Sequence, residues 1–222
     1  NDLFDLDGII VSSPTFTHYD YLKKLRNYKG YLLIEKPIVS KKEQSKKLLK
    51  YPENWRKKTL INYNFNHSVL FYELKKILKI KKFGKPVNVL ISTNHGLAFK
   101  KNNNWRFEEK KCRGVGEMNT CHFIKFATDL FGEIDKFSRY ENNYAKNNLK
   151  KNFDTINLSL ITKKKVFVNI FNSYATPFMN YMKIFFTNCI VLYDGEKLTI
   201  HYPRDVFDKN NRYKFPPKIK VK

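Results

Sequence analysis

Two short apolar runs with a helix between them constrain the fold of this chain more than any other feature. Gly8–Ser13 and Tyr31–Ile34 are rich in β-branched residues and leucine, and a proline closely follows each run. Uninterrupted apolar runs of this length are typical of strands buried on both faces of a parallel sheet. Residues 17–25 have helical spacing, with Thr17 as the predicted N-cap. A strand, a helix and a strand within about 30 residues predict a βαβ unit.

The same pattern continues for another 30 residues, roughly the length of one more such unit. Lys41–Lys50 is a predicted helix, and Thr59–Tyr63 is a predicted third strand of the same sheet. A helix over His67–Ile80 follows, with its apolar residues on one side. We therefore expect an α/β domain with a parallel sheet over residues 1–65.

The character of the sequence changes after Pro86. Val87–Thr93 is a predicted strand, and Glu117–Phe131 is a predicted helix closed by Gly132. Further strands are predicted at Ile134–Tyr140, Thr155–Ile161, Val166–Phe171, Tyr181–Phe186 and Cys189–Ile200. The last of these contains Asp194-Gly195, a predicted two-residue hairpin turn. Strands in succession after βα units predict a second domain over residues 66–222, of the α+β class with a mostly antiparallel sheet.

The formal net charge of +23 would ordinarily favour nucleic acid or an anionic membrane surface as the ligand. The basic residues are 36 lysines and only 7 arginines, whereas proteins that read phosphates and bases recruit arginine for its bidentate geometry. The lysines are also spread over many segments. We interpret most of the charge as a solvated surface shaped by AT-biased coding, and we keep an anionic ligand as the functional remainder.

Several classes of protein do not fit the sequence. It has no apolar run near the roughly 20 residues of a membrane-spanning helix, and it does not open on a basic and then apolar leader. The three cysteines have no C-x-x-C spacing, so we expect a reducing, cytoplasmic setting. The sequence shows no paired carboxylates, no Ser-His-Asp order and no metal-ligand cluster among its five histidines, which argues against hydrolysis and metal chemistry.

Several short segments together resemble the Gfo/Idh/MocA oxidoreductases, which are nicotinamide-dependent enzymes of sugars, nucleotide-sugars and cyclitols. In chain order they are Ile10-Val11-Ser12-Ser13-Pro14-Thr15, His18, Ile34-Glu35-Lys36-Pro37, Tyr63-Asn64, Trp105-Arg106, and His122 followed at ten residues by Gly132. Glu35-Lys36-Pro37 at a strand end is the most specific of these segments. The resemblance covers residues 7–132 and thins to a strand pattern beyond them.

This resemblance implies NAD or NADP as the cofactor, and the C-terminal half of a Rossmann-like sheet as the fold of residues 1–65. A Rossmann domain opens with a strand, a G-x-G-x-x-G turn that holds the pyrophosphate, and a helix. Gly114-Val115-Gly116 follows a basic segment instead of a strand, and Asn119 stands where the third glycine belongs. We interpret it as unrelated to dinucleotide binding. We expect the first half of the cofactor domain, and a C-terminal helix, to lie outside these 222 residues.

For the cofactor side of the site, the resemblance assigns Lys36 to the substrate hydroxyl as a base or electrostatic stabiliser. Ligands of doubly wound sheets lie at the carboxyl ends of the strands, where Lys36 falls. Asn64 is a further candidate at the end of the third strand, and His18 is as consistent with helix packing as with a cofactor contact. The residues assigned to the nicotinamide ribose are Ser13, Pro14, Thr15 and Glu35.

For the substrate side, the resemblance makes His122 the general acid/base or a ligand of the substrate hydroxyl. Helical spacing predicts that Asn119, His122 and Lys125 share one side. Many family members carry an aspartate near this histidine, where this chain has Asn119 and Lys125. A missing carboxylate and a nearby lysine would both lower the pKa of His122. Trp105 and Arg106 fall where the family's substrate loop runs, and Arg106 could hold a carboxylate or diphosphate in a bidentate manner.

The resemblance therefore implies an NAD(P)-dependent oxidoreductase of a sugar or nucleotide-sugar, with surface-polysaccharide biosynthesis as its setting and a homo-oligomer formed through the second-domain sheet. Two alternatives stay open. One is an inactive relative that binds a sugar or a protein partner, since Asn119 and Lys125 depart from the family pattern. The other is a basic polyanion or nucleic-acid binder, whose affinity would fall steeply with salt.

Overall fold

Three parallel strands form the first sheet, in the order β1–β2–β3. The computed structural model describes residues 5–96, 108, 111–112, 114–144 and 152–219. The elements of this part are β1 (Gly8–Val11), α1 (Thr15–Lys24), β2 (Tyr31–Glu35), α2 (Lys42–Leu48), α3 (Glu53–Lys57) and β3 (Thr59–Asn62). The predicted βαβ unit and the third parallel strand are confirmed. The predicted helix over 41–50 is shorter, and α3 was not predicted.

Helix α1 begins two residues before the predicted cap. Pro14 holds the N-cap position with φ −58° and ψ 139°, and no side chain caps the helix. The Thr17 hydroxyl donates instead to the Pro14 carbonyl at 2.8 Å. The prediction of Thr17 as the N-cap was therefore wrong, because proline fixes a backbone angle that suits a helix start and needs no hydroxyl.

The three-stranded sheet has helices on one face only within the described residues. Leu32 and Ile34 are buried, at 2% and 0% exposed, in one cluster with residues of α1, α2 and α3. On the other face Ile10, Leu33 and Leu60 lie side by side in register, with Ile10 68% and Leu60 54% exposed. The prediction that these strands are buried on both faces was wrong for the described chain, because no described element packs on the second face. We call Ile10, Leu33 and Leu60 the bare row.

Eight strands form the second sheet, in the order β11–β10–β9–β8–β4–β7–β6–β5. They are β4 (Pro86–Asn94), β5 (Ile134–Asn142), β6 (Thr155–Thr162), β7 (Phe167–Ser173), β8 (Met179–Phe186), β9 (Ile190–Tyr193), β10 (Leu198–His201) and β11 (Lys218–Ile219). Only β4 and β7 pair in parallel; the other described pairs are antiparallel. The expected α/β part followed by a mostly antiparallel α+β part is confirmed.

Helices α4 (Val69–Ile77) and α5 (Cys121–Phe131) pack on one face of this sheet. The Ser68 hydroxyl caps α4 by accepting a hydrogen bond from the Phe71 N–H at 3.2 Å. Gly132 ends α5 with φ 104°, a backbone angle that glycine adopts without strain. Residues 116–120, predicted as the first turn of that helix, form a π-helical turn instead.

The hairpin of β9 and β10 is confirmed, but its turn is longer than predicted. Tyr193 pairs with Leu198, so residues 194–197 form the connection. The Asp194 carboxylate accepts hydrogen bonds from the backbone N–H groups of Glu196 at 3.0 Å and Lys197 at 2.8 Å. Asp194 thereby becomes the first residue of a four-residue turn instead of its centre.

The helices of the described chain are short. The longest, α5, has 11 residues, and none within the described ranges combines the length and apolar character needed to cross a membrane. The division into domains at 1–65 and 66–222 stays a prediction. Two separate apolar clusters flank that boundary, one drawn from residues 11–55 and one from residues 71–200.

Candidate active site

Lys36 connects the carboxyl edge of the first sheet to the helix side of the second. It follows β2, and its ammonium donates a hydrogen bond to the Met118 carbonyl oxygen at 2.5 Å. Met118 belongs to the π-helical turn that precedes α5. The Ser40 hydroxyl donates to Glu117 of the same turn at 3.0 Å. The loop after β2 is thus held against this turn at two points.

Glu35 aligns the neighbouring strand ends. One carboxylate oxygen accepts a hydrogen bond from the Asn62 side-chain amide at 2.6 Å, and the other accepts from the Lys36 backbone N–H at 3.3 Å. Both contacts lie at the edge where β2 and β3 end. The carboxylate therefore fixes the backbone from which the Lys36 side chain extends.

His18 ties two loops together in the protein interior. The side chain is fully buried, with Nε2 2.7 Å from the Ser13 carbonyl oxygen and Nδ1 3.1 Å from the Pro37 carbonyl oxygen. Both ring nitrogens are therefore occupied by backbone groups. The structure places His18 between the loops that follow β1 and β2, where it sets their separation.

His122 is a buried and uncharged imidazole. It is 5% exposed, and the rings of Phe65 and Tyr63 meet it edge-on, with centroids at 5.0 and 6.1 Å. Burial and, to a smaller extent, the positive charge of Lys36 lower the pKa of His122 to about 3. Its Nδ1 has no hydrogen-bond partner among the described groups. A buried nitrogen without a partner is a position where a ligand hydroxyl would be held.

The predicted cause of the lowered His122 pKa was partly wrong. Lys125 points away and pairs with Asp129 at 2.6 Å, with its side chain 44% exposed. Lys36, from the other sheet, supplies the nearby positive charge. His122 and Lys125 both lie on the regular helix α5, but the long Lys125 side chain extends to solvent and toward Asp129, one turn further along the helix.

Asn119 belongs to a buried amide cluster at the ends of the parallel pair β4 and β7. Its amide lies 3.5 Å from the Thr93 hydroxyl, and the fully buried Asn172 amide donates to the same oxygen and to the Thr93 carbonyl. The side-chain oxygen of Asn172 has no partner among the described groups. This cluster therefore presents an unused acceptor near the start of α5.

Sequence reasoning missed His95, which follows β4 much as Lys36 follows β2. It is exposed, and its ring lies edge-on to Tyr174 and Phe178, with centroids at 6.3 and 6.1 Å. Partial desolvation and the charge of Lys36 lower the pKa of His95. The signal was its place directly after the predicted strand 87–93. The charge of Lys36 therefore lowers the pKa of two histidines, His95 after β4 and His122 on α5.

The remaining predicted residues differ in how far the structure locates them. Ser13 and Pro14 form the loop after β1, the buried Thr15 begins α1, and Asn64 is exposed at the start of a 3₁₀ turn. Trp105 and Arg106 lie outside the described residues. Within the described ranges, no group of three histidine, cysteine or acidic side chains could hold a metal ion.

Gly114 has a packing role. It has φ +72°, and a Cβ there would lie 2.2 Å from the Phe153 carbonyl oxygen. The neighbouring Val115 N–H donates to that same oxygen at 3.1 Å. No strand immediately precedes this glycine among the described residues, so the segment lacks the strand–turn–helix setting of a dinucleotide turn.

The buried His122 makes the stability of the chain depend on pH. Its pKa falls from 6.5 to about 3 on folding, so between these values the unfolded chain binds a proton that the folded chain does not. We expect the free energy of unfolding to be highest above pH 6.5 and to fall below it, by up to about 1.4 kcal/mol per pH unit. Urea unfolding at neutral pH and about two units lower, for wild type, His122→Leu and the exposed-site control His67→Leu, measures this. An unchanged pH dependence in His122→Leu would contradict it.

The chain is similar to known oxidoreductases in sequence and in fold. Residues 1–63 match the sequence model of the GFO_IDH_MocA family, described as an oxidoreductase family with an NAD-binding Rossmann fold. The chain is also 25% identical over 128 residues to an uncharacterized oxidoreductase of Schizosaccharomyces pombe. The match covers 58% of this chain and 35% of that protein, so the chain spans about a third of this curated relative.

Two solved structures show the same fold at low sequence identity. A levoglucosan dehydrogenase in complex with NADH and levoglucosan has a TM-score of 0.81 at 14% identity, over 98% of this chain and 61% of its own. An oxidoreductase from Agrobacterium radiobacter in complex with NAD+, L-tartaric acid and magnesium has a TM-score of 0.76 at 16% identity, over 91% of this chain and 61% of its own. Residues 1–63 therefore match the Gfo/Idh/MocA family of oxidoreductases in sequence, and the chain shares the fold of the levoglucosan dehydrogenase over nearly its whole length.

Proposed function

We propose that this chain is the catalytic part of an NAD(P)-dependent dehydrogenase that acts on a hydroxyl or keto group of a sugar or nucleotide-sugar, in surface-polysaccharide biosynthesis. The observation that carries the proposal is the hydrogen bond by which Lys36, at the end of β2, reaches the turn before α5, from where its charge lowers the pKa of both His122 and His95. The sugar complex of the levoglucosan dehydrogenase and the tartrate complex of the Agrobacterium protein support a polyhydroxylated substrate.

The residues present fit the nicotinamide end of the cofactor. His18 holds the loops after β1 and β2 side by side, and such strand ends are where a doubly wound sheet binds its dinucleotide. Ser13, Pro14, Thr15, Glu35 and Asn64 would line this edge. The unpartnered Nδ1 of His122 faces no described protein group and is available to a ligand. When bound, NAD(P) accepts or returns a hydride.

The roles of the chain's own residues follow from their charge. Oxidation removes the hydroxyl proton and transfers the hydrogen of the adjacent carbon as a hydride with its electron pair, which leaves a carbonyl. The uncharged His122 ring would accept the hydroxyl hydrogen bond, orient the group and take up its proton as the hydride leaves. The Lys36 ammonium would stabilise the alkoxide that develops as the proton leaves. Asn119 would hold a second hydroxyl of the substrate.

This proposal is tested with the full-length protein that contains these residues, incubated with NAD+ or NADP+ and a panel of sugars and nucleotide-sugars. We expect absorbance of the reduced nicotinamide to appear with at least one member of the panel. The control is the same protein with His122→Phe, which fills the space and removes the ring nitrogen. Binding of sugar without any reduction of the nicotinamide would favour an inactive binding protein instead.

We also propose that the chain forms a homo-oligomer through the face of the eight-stranded sheet opposite α4 and α5. Tyr140 and Phe167 are exposed on this face, at 72% and 51%. Between them runs a polar ladder in which Ser159 donates to Asn169 and Asn169 donates to Asn88. Exposed aromatic rings around a satisfied polar centre are the composition of many subunit interfaces.

A further inference from the structure

Within the described ranges, the Lys36 ammonium is not paired with a carboxylate. None of the nine ion pairs found in the described parts of the chain includes Lys36, His95 or His122. The acidic side chain adjacent to Lys36 in the chain, Glu35, accepts hydrogen bonds from Asn62 and the backbone. Glu117 of the π-helical turn accepts from Ser40. The acceptor that the structure gives the Lys36 ammonium is a neutral backbone carbonyl.

The effect of this charge is visible on the groups around it. The Lys36 ammonium lowers the pKa of both His95 and His122, which means that it disfavours a second positive charge in the site. The same field favours a negative charge beside the Lys36 ammonium. Because a partly desolvated charge is screened less than a surface charge, this preference is strong for a ligand that enters the site.

The surroundings of Lys36 also supply contacts for a polyhydroxylated molecule. His95 and the 72% exposed ring of Phe178 form an aromatic edge at the end of β4. The fully buried Asn172 has an unpartnered side-chain oxygen, and the buried His122 has an unpartnered nitrogen. Unpaired buried polar atoms of this kind are satisfied by hydroxyl groups of a ligand.

We propose that the substrate is a sugar acid or related hydroxy acid, with a carboxylate beside its reactive hydroxyl. This inference rests on the proposed function in one respect, since it takes Lys36 to face the reacting carbon. The Lys36 ammonium, which would face this carbon, is also the cation that has no carboxylate partner among the described groups. The negative charge of the substrate must therefore lie next to its reactive hydroxyl. A phosphate several bonds away from that hydroxyl would not reach the Lys36 ammonium.

The experiment is calorimetric titration of the full-length protein, saturated with reduced cofactor, with D-glucuronate, D-glucose and UDP-glucose. These ligands place a carboxylate on the sugar, no charge, and a remote diphosphate, respectively. We expect D-glucuronate to bind at least about tenfold more tightly than the other two, the size of one hydrogen bond between charged groups. This advantage should shrink as salt is raised.

Two variants that each remove one positive charge test whether the preference for D-glucuronate depends on Lys36. Lys36→Gln should abolish the preference for D-glucuronate, whereas Lys50→Gln, at an exposed lysine after α2, should leave it intact. Equal affinity for D-glucose, tighter binding of UDP-glucose, or no binding of D-glucuronate would each overturn the inference.

The test of the acid substrate and the test of the proposed dehydrogenase activity can fail independently of each other. Turnover of neutral sugars with equal affinity for D-glucose would overturn the acid substrate and keep the dehydrogenase. Binding of D-glucuronate that depends on Lys36, without reduction of the nicotinamide by any substrate, would support the acid site and overturn the dehydrogenase.

Discussion

Replacement of Lys36 by alanine in the full-length protein is expected to lower kcat/KM at least ~100-fold, the range that general acid/base and charge-stabilising groups supply. The reason is structural, because Lys36 is the positive group that acts on both His95 and His122. The loss should appear in kcat as well as in KM, since the ammonium stabilises charge that develops only as the hydroxyl proton leaves. Steady-state rates of nicotinamide reduction measure it.

His122→Ala is expected to cause a loss of similar size, because it removes the ring nitrogen that would orient the hydroxyl. The matched control is Lys50→Ala, which deletes an exposed lysine and should leave kcat/KM within about twofold of wild type, as expected for a surface change that is worth at most about 0.5 kcal/mol. Near wild-type turnover in both Lys36→Ala and His122→Ala would contradict the assignment of this site.

The largest effect on stability is expected for Phe126→Ala. Phe126 is 1% exposed at the centre of the larger apolar cluster, and its ring meets Phe71 edge-on with centroids 5.3 Å apart. Removal of a buried phenylalanine ring loses its transfer free energy and leaves a cavity, which together destabilise a protein by about 3–5 kcal/mol. Urea unfolding followed by circular dichroism gives the change in the free energy of unfolding.

Phe137→Ala is the matched control, since it removes the same ring from a position that is 71% exposed. This change should stay within about 0.5 kcal/mol of wild type. A loss in Phe126→Ala no larger than in Phe137→Ala would mean that α5 does not pack on the sheet as described.

The sequence predicted the structure best where residue type and position along the chain indicate the same element. The βαβ unit was predictable because each strand is a short apolar run bounded by a proline. The position of Lys36 at the carboxyl edge of the sheet was predictable because it directly follows such a run, and parallel strands bring their carboxyl ends to one edge. Gly132 was predictable as a helix end because few other residues adopt its backbone angle.

The missed features depend on contacts between distant segments. The π-helical turn leaves no mark in apolar spacing. Spacing along α5 also does not show that the Lys125 side chain extends to Asp129 and not to His122. His95 lies in a polar stretch after β4, and it joins the site only because Lys36 reaches across from the other sheet. The amide cluster of Asn119, Thr93 and Asn172 unites residues from three elements, which spacing along one element cannot reveal.

The bare row of Ile10, Leu33 and Leu60 affects how these 222 residues associate in solution. An exposed apolar strip on the open face of a parallel sheet promotes association, and such patches bind detergents, chaperones or one another. Under the proposed oligomer, light scattering of concentrated samples of these 222 residues would sum two kinds of association, one through this strip and one through the large sheet. A preparation that carries Leu60→Lys would suppress the first kind, and any assembly that persists in it would belong to the large sheet.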